Sequence, residues 1–152
     1  NDAAVEALRK AVSLAPENAG LANELIMLLV DLLRYEEAEQ AALGALQHHP
    51  NEVPLQLALA DVYGRQGKDS HALAIIETLV RQKNPDPRAL LMHARLMQRQ
   101  GDIRGAVATY REAVDRDESV ADLELESLLG VEDFRSHEGE ETEAAAWKDA
   151  DF

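Results

Sequence analysis

His48 and His49 stand side by side before Pro50, and histidine is the residue type here most suited to holding a metal. Ligands must converge on the ion, yet neighbours on a helix point about 100° apart because the helix makes a turn every 3.6 residues. The pair reads better as two imidazoles facing the negative end of a helix dipole. His71, His93 and His137 are scattered, so no metal is expected. Glu36, Glu37 and Glu39 put three carboxylates within four positions, which could in principle serve acid–base chemistry. No nucleophile motif, glycine-rich phosphate loop or cysteine accompanies them, and a solvated helix face is the simpler reading. No catalytic residue and no cofactor are therefore expected in this segment. Any enzymatic activity would have to come from sequence outside it.

Charge narrows the partners further. The chain carries a formal net charge of −14, and it is unevenly placed. Residues 1–116 hold 16 acids and 13 bases, a net −3, whereas residues 117–152 hold 13 acids and 2 bases, a net −11. Nucleic acid needs a basic face of some size, which this balance disfavours. Aromatics make up only 4% of residues, so the core must be built from Leu, Ala, Val and Ile. No apolar run approaches the roughly 18 residues of a membrane span, and membrane insertion is not expected. The absence of cysteine suits cytosol and periplasm alike; cytoplasm is the expectation, with periplasm left open. The first residue is Asn1 rather than Met, which reads as an excised piece of a longer chain.

The elements that position these side chains repeat about every 34 residues. Arg34-Tyr35-Glu36-Glu37-Ala38, Gly67-Lys68-Asp69-Ser70-His71-Ala72 and Gly101-Asp102-Ile103-Arg104-Gly105-Ala106 mark three copies of one helix–turn–helix pattern. Pro16, Pro50 and Pro85 close second helices. A period of this length means that one unit cannot bury its apolar face alone and must stack on its neighbours. The spacing predicts full repeats over about 19–52, 53–86 and 87–118. A half repeat precedes them, in which Ala4, Leu8, Ala11 and Pro16 recur as Ala38, Ala42, Ala45 and Pro50. Leu21, Leu25, Leu28 and Leu29 stripe the first helix of repeat one; Leu55, Leu59, Ala60 and Tyr63 stripe that of repeat two. Val120 to Leu129 predicts a capping helix ended by Gly130, with its leucines on the solenoid and Asp122, Glu124 and Glu126 in water.

Ala60, Tyr63, Gly67, Ala72 and Ile76 in repeat two, with Ala94, Met97, Gly101, Ala106, Tyr110 and Ala113 in repeat three, resemble the tetratricopeptide repeat. Repeat one keeps Leu29, Ala38, Ala45 and Pro50, but Ile26 and Leu33 replace the small residue and the glycine. Pro85 comes one residue late and Glu118 stands where a proline is expected. The resemblance covers about residues 3–118. It implies an all-α, right-handed superhelical solenoid of antiparallel helix pairs: three full repeats, the preceding half repeat and the capping helix. The domain is placed at 1–130 and an acidic tail or linker at 131–152.

The resemblance also implies a concave groove lined by the first helix of each repeat. Carried over position by position, it assigns Asn23, Met27, Val30 and Asp31 from repeat one. Repeat two supplies Leu57, Asp61, Gly64 and Arg65; repeat three supplies Arg88, Leu91, Arg95, Gln98 and Arg99. Arginine forks bind carboxylates in bidentate fashion, so the expected ligand is an extended or helical acidic peptide with apolar anchors. The alternative is that these arginines pair with acids of the chain itself, such as Asp61, Asp102 or Glu112. The Lys and Asn set with which some relatives grip a chaperone's C-terminal carboxylate is not present, as Met27, Leu57 and Met92 occupy such places.

Both phenylalanines, Phe134 and Phe152, and the sole tryptophan, Trp147, fall in the acidic tail. Aromatics among carboxylates suit a short docking segment, in which the rings anchor and the charges steer. The expected function is protein–protein recognition, as a scaffold or partner-recruiting arm. Two alternatives stay open: self-association through the tail, giving a homo-oligomer, and service as the regulatory arm of a larger enzyme such as an AAA+ ATPase.

Overall fold

The structure, a computed structural model, describes residues 1–130. Among them run eight α-helices: α1 (Asp2–Leu14), α2 (Ala19–Asp31), α3 (Tyr35–His48), α4 (Val53–Arg65), α5 (Asp69–Val80), α6 (Pro87–Arg99), α7 (Ile103–Arg116) and α8 (Leu123–Leu129). A single 3-10 turn, Glu118–Val120, precedes α8. The tail anchors Phe134, Trp147 and Phe152 lie outside the described residues.

Local chemistry sets where the helices begin and end. Asn18, Asp86, Asp102 and Asp122 cap α2, α6, α7 and α8, each accepting a backbone N–H of the first turn on its side-chain oxygen. These are the donors a helix start leaves unpaired. The turns from first to second helix are three copies of one motif. Leu33, Gly67 and Gly101 all take positive φ, at 60°, 74° and 84°. In each copy the next N–H reaches back five residues, from Arg34 to Leu29 (2.8 Å), Lys68 to Tyr63 (2.8 Å) and Asp102 to Met97 (2.9 Å). The shorter bonds Leu33 to Val30, Gly67 to Gly64 and Gly101 to Gln98 complete a Schellman stop. Repeat one therefore makes the same turn without glycine, holding a 69% exposed leucine in the left-handed region.

Consecutive helices pack as pairs, and the first helices also touch one another in the series α2, α4, α6 and α8. The second helices stand farther apart, so the stack curves with the first helices inside. Ala38, Ala72 and Ala106 are each at most 1% exposed, as are Ala60 and Ala94 on the first helices. A small residue at each crossing lets two helix backbones come close. Leu25, Ile26, Leu29, Leu55, Leu59 and Val62 fill the space between repeats one and two, and Tyr110 is fully buried among Ala94, Ala106, Leu125 and Leu129.

The capping helix departs from expectation. Only Leu125 and Leu129 are buried, while Leu123 and Leu128 are 80% and 56% exposed. Seven residues make two turns, enough to set one pair of leucines against α6 and α7. Nor do Asp122 and Glu126 simply face water, since each carries a long-range hydrogen bond described below. Glu37 and Glu39 likewise are more than a solvated face. Glu37 accepts from Arg34 on its own helix and from Arg9 of α1, and Glu39 accepts from Lys68 and Gln66 of the next repeat. Their guanidinium and ammonium partners hold both carboxyls below the usual range.

Leu33→Gly should stabilise the protein by up to about 1 kcal/mol, since glycine adopts positive φ without the cost borne by leucine. Gly101→Ala should destabilise it by about 1 kcal/mol although the space is open, because the conformation alone is at fault; urea unfolding measures both. Ala72→Leu should cost about 1–3 kcal/mol by forcing α4 and α5 apart, read as a lowered midpoint at unchanged slope.

Candidate functional site

Where α4 and α6 lie side by side on the inner face, a cleft of about 440 Å³ opens between them. Asp61, Gly64 and Arg65 come from α4, Arg95 and Arg99 from α6, and Glu124 from α8. The floor is apolar: Ala60, Ala72, Ile76 and Leu96 are nearly unexposed, and Met92 closes one side. A shallower lobe of about 190 Å³ continues along α6 to α8, edged by Gln98, Asp122 and Leu128.

The geometry of α6 explains why its arginines share the cleft. Met92, Arg95, Leu96 and Arg99 follow the i, i+3, i+4, i+7 spacing, so two cationic and two apolar side chains share one face. Each arginine of the cleft is paired. Arg65 Nε donates to Asp61 at 2.8 Å, one turn away on α4, and this partner raises the Arg65 pKa. Arg99 donates to Asp69 at the start of α5, at 2.9 Å. Arg95 reaches α8, donating through Nε (2.9 Å) and a terminal nitrogen to the same oxygen of Asp122. Burial pushes the Asp122 carboxyl upward, but Arg95 and the N–H groups of Leu125 and Glu124 outweigh it and leave the pKa low.

Tyr110 completes the joint under the groove. Its hydroxyl donates to Glu126 at 2.6 Å and accepts the N–H of Asp122 at 2.9 Å. Burial, reinforced by Glu126, lifts its pKa to about 12. One phenol thus ties α7 to both ends of the capping turn, and Arg95 ties α6 to the same turn.

Of the residues assigned to the groove from sequence, Asp61, Gly64, Arg65, Arg95 and Arg99 meet in this cleft, and Gln98 edges its extension. Met27 and Asp31 are exposed on α2, with Asn23 donating weakly to the Met27 sulfur at 3.7 Å. Leu57 does not face a ligand: it is 7% exposed and packs with Leu79 and Ala89. Leu91 packs against the α6–α7–α8 core. Arg88 sits at the start of α6 and folds back on its capping residue Asp86, with bonds of 3.1 and 2.9 Å. Asp69, Asp122 and Glu124 escaped sequence reasoning. The sequence pattern set Asp122 in water; its partnership with Arg95 spans 27 residues and has no local signature.

Among the described residues the histidines form no cluster. His48 ends α3, His49 places Nε2 3.0 Å from the Pro16 carbonyl oxygen, and His71 packs at a tilt on Tyr63. Among the described residues no group of three His, Cys, Asp or Glu is arranged to hold a metal, and no helix is long and apolar enough to cross a membrane.

Helix pairs at a 34-residue period, small residues at their crossings and a curved inner face define an all-α repeat solenoid. A family model described as tetratricopeptide repeat matches residues 1–123, and the chain belongs to that family. No curated protein matches it. Repeats of this family generally mediate protein–protein interaction and are generally non-catalytic.

Tyr110→Phe should destabilise by about 1–2 kcal/mol, leaving Glu126 and a backbone donor without their partner. Because the folded pKa of Tyr110 lies above its ordinary 10, its contribution is complete below pH 10 and is lost as pH rises toward about 12. Asp122 has the opposite sign: its folded pKa is depressed, so its contribution holds above its ordinary 3.8 and fades as pH falls below that value. Urea unfolding across pH should show an alkaline limb flattened by Tyr110→Phe and an acid limb flattened by Asp122→Asn.

Proposed function

We propose that the chain is a peptide-recognition module whose concave cleft between α4, α6 and α8 takes an extended or helical segment of a partner protein, with carboxylates flanking apolar anchors. The observation that carries this reading is the convergence of Arg65, Arg95 and Arg99 from two repeats into one cleft. Their side chains are 49%, 51% and 48% exposed.

A guanidinium has five N–H donors. Arg99 makes one hydrogen bond among the described residues, and Arg95 spends two on a single oxygen. The acid partners hold each fork in a fixed orientation, which lowers the ordering cost that a ligand meets. A ligand carboxylate then joins the remaining donors without displacing the internal acid. Asp61, Asp69, Asp122 and Glu124 also offset the long-range field of the arginines. Selection of an acidic segment thus depends on short-range donor geometry more than on steering at a distance.

The test is fluorescence anisotropy with a labelled peptide rich in Glu and Asp and carrying one Leu or Phe. Arg95→Glu with Arg99→Glu should abolish binding. Lysine at both positions keeps the charge but loses the fork, and should weaken binding by about 1.5–3 kcal/mol. Far-UV circular dichroism should stay near wild type for the lysine pair, which still meets Asp122 and Asp69. Wild-type affinity in both double variants rules the arginine cleft out as the recognition site.

A further inference from the structure

Charge along the solenoid is not uniform even where the total is nearly balanced. Residues 81–116 carry eight bases and four acids, a net +4, whereas residues 1–80 carry five bases and twelve acids, a net −7. The stretch 81–116 is the basic part of the solenoid, and within it α6 carries the arginine-bearing wall of the cleft. Directly beyond α8 come residues 131–152, with eight acids and two bases, a net −6, together with Phe134, Trp147 and Phe152.

The exposed apolar surface beside that wall has a matching position. Leu128 is 56% exposed and borders the lobe shared with Arg95, Gln98 and Arg99, two residues before the described chain stops at Gly130. Phe134 lies four residues past Gly130, a reach of roughly 13 Å at the span of an extended chain. That is enough to set its ring on Leu128 and bring Glu132 and Asp133 to the guanidinium groups, which also stack favourably on aromatic faces. Trp147, seventeen residues past Gly130, reaches at most roughly 55 Å.

We propose that residues 131–152 are an intramolecular occupant of the α6–α8 side of the groove, with Phe134 seated on Leu128 and the tail carboxylates on Arg95 and Arg99. The proposal rests on the groove reading above and adds a regulation to it. A partner peptide must compete with a tethered segment, so its apparent affinity is reduced by the fraction of chains whose groove is filled.

Trp147 is the sole tryptophan and reports on the tail in the full chain. Its emission should be blue-shifted at low salt and unchanged by dilution. It should move red in 1 M salt, where the screening length is about 3 Å, on adding the acidic peptide, and in Glu132→Gln with Asp133→Asn. The same tail variant should bind the peptide more tightly than wild type, with an unchanged urea midpoint. Emission that is red from the start overturns the proposal; if the peptide still binds, the groove reading survives, and if it does not, both fall. A blue shift lost on dilution places the tail on a second molecule, and one indifferent to salt and to the tail charges places it away from the arginines. Either result overturns the intramolecular contact.

Discussion

Ala38, Ala72 and Ala106 recur at intervals of 34 residues, each wedged where the second helix of a repeat crosses the first and each almost without solvent exposure. A methyl group at the crossing allows the backbones to approach within the range where the larger flanking side chains interlock. Everything downstream depends on that approach. It sets the tilt of each pair, the close contact of successive first helices and hence the curvature that makes one face concave. A longer side chain at any of the three would alter one crossing and, through the stack, the line of the groove.

The Schellman turns give that packing its register. Three left-handed residues at 33, 67 and 101 give the same turn into each second helix. Leu33 shows that the packing dictates the turn, for the backbone conformation persists where glycine is missing. Between repeats, polar ties share the work with apolar contacts. Arg34 meets Asp2, Lys68 meets Glu39, Arg99 meets Asp69 and Arg95 meets Asp122. Partly exposed pairs of this kind contribute little stability singly. Their consequence is orientation: they tie two guanidinium groups that line one cleft, Arg95 to Asp122 and Arg99 to Asp69.

The helices and their order were legible in sequence because each rests on a 3.6-residue apolar stripe, and two of the three turns carry a glycine suited to positive φ, whereas Leu33 gives no such signal. The lining of the cleft was legible in part. Arg95 and Arg99 lie on the face that counting along the helix assigns them. Leu57 does not, because α5 and α6 close over it, and position-counting is blind to what a neighbouring helix covers. In α8 four leucines out of seven residues gave no means of telling which two would find a neighbour, and Leu123 and Leu128 were left in solvent.

The 34-residue period in the sequence by itself determined the repeat, since apolar stripes that cannot be buried within one unit require a stack, and the small and aromatic residues at fixed places in it marked the family. Only the tertiary structure decided which acid meets which arginine. Arg95 and Asp122 are 27 residues apart, Arg99 and Asp69 are 30 apart, and Arg34 and Asp2 are 32 apart. Such pairs exist only once successive helices are laid side by side at a fixed tilt.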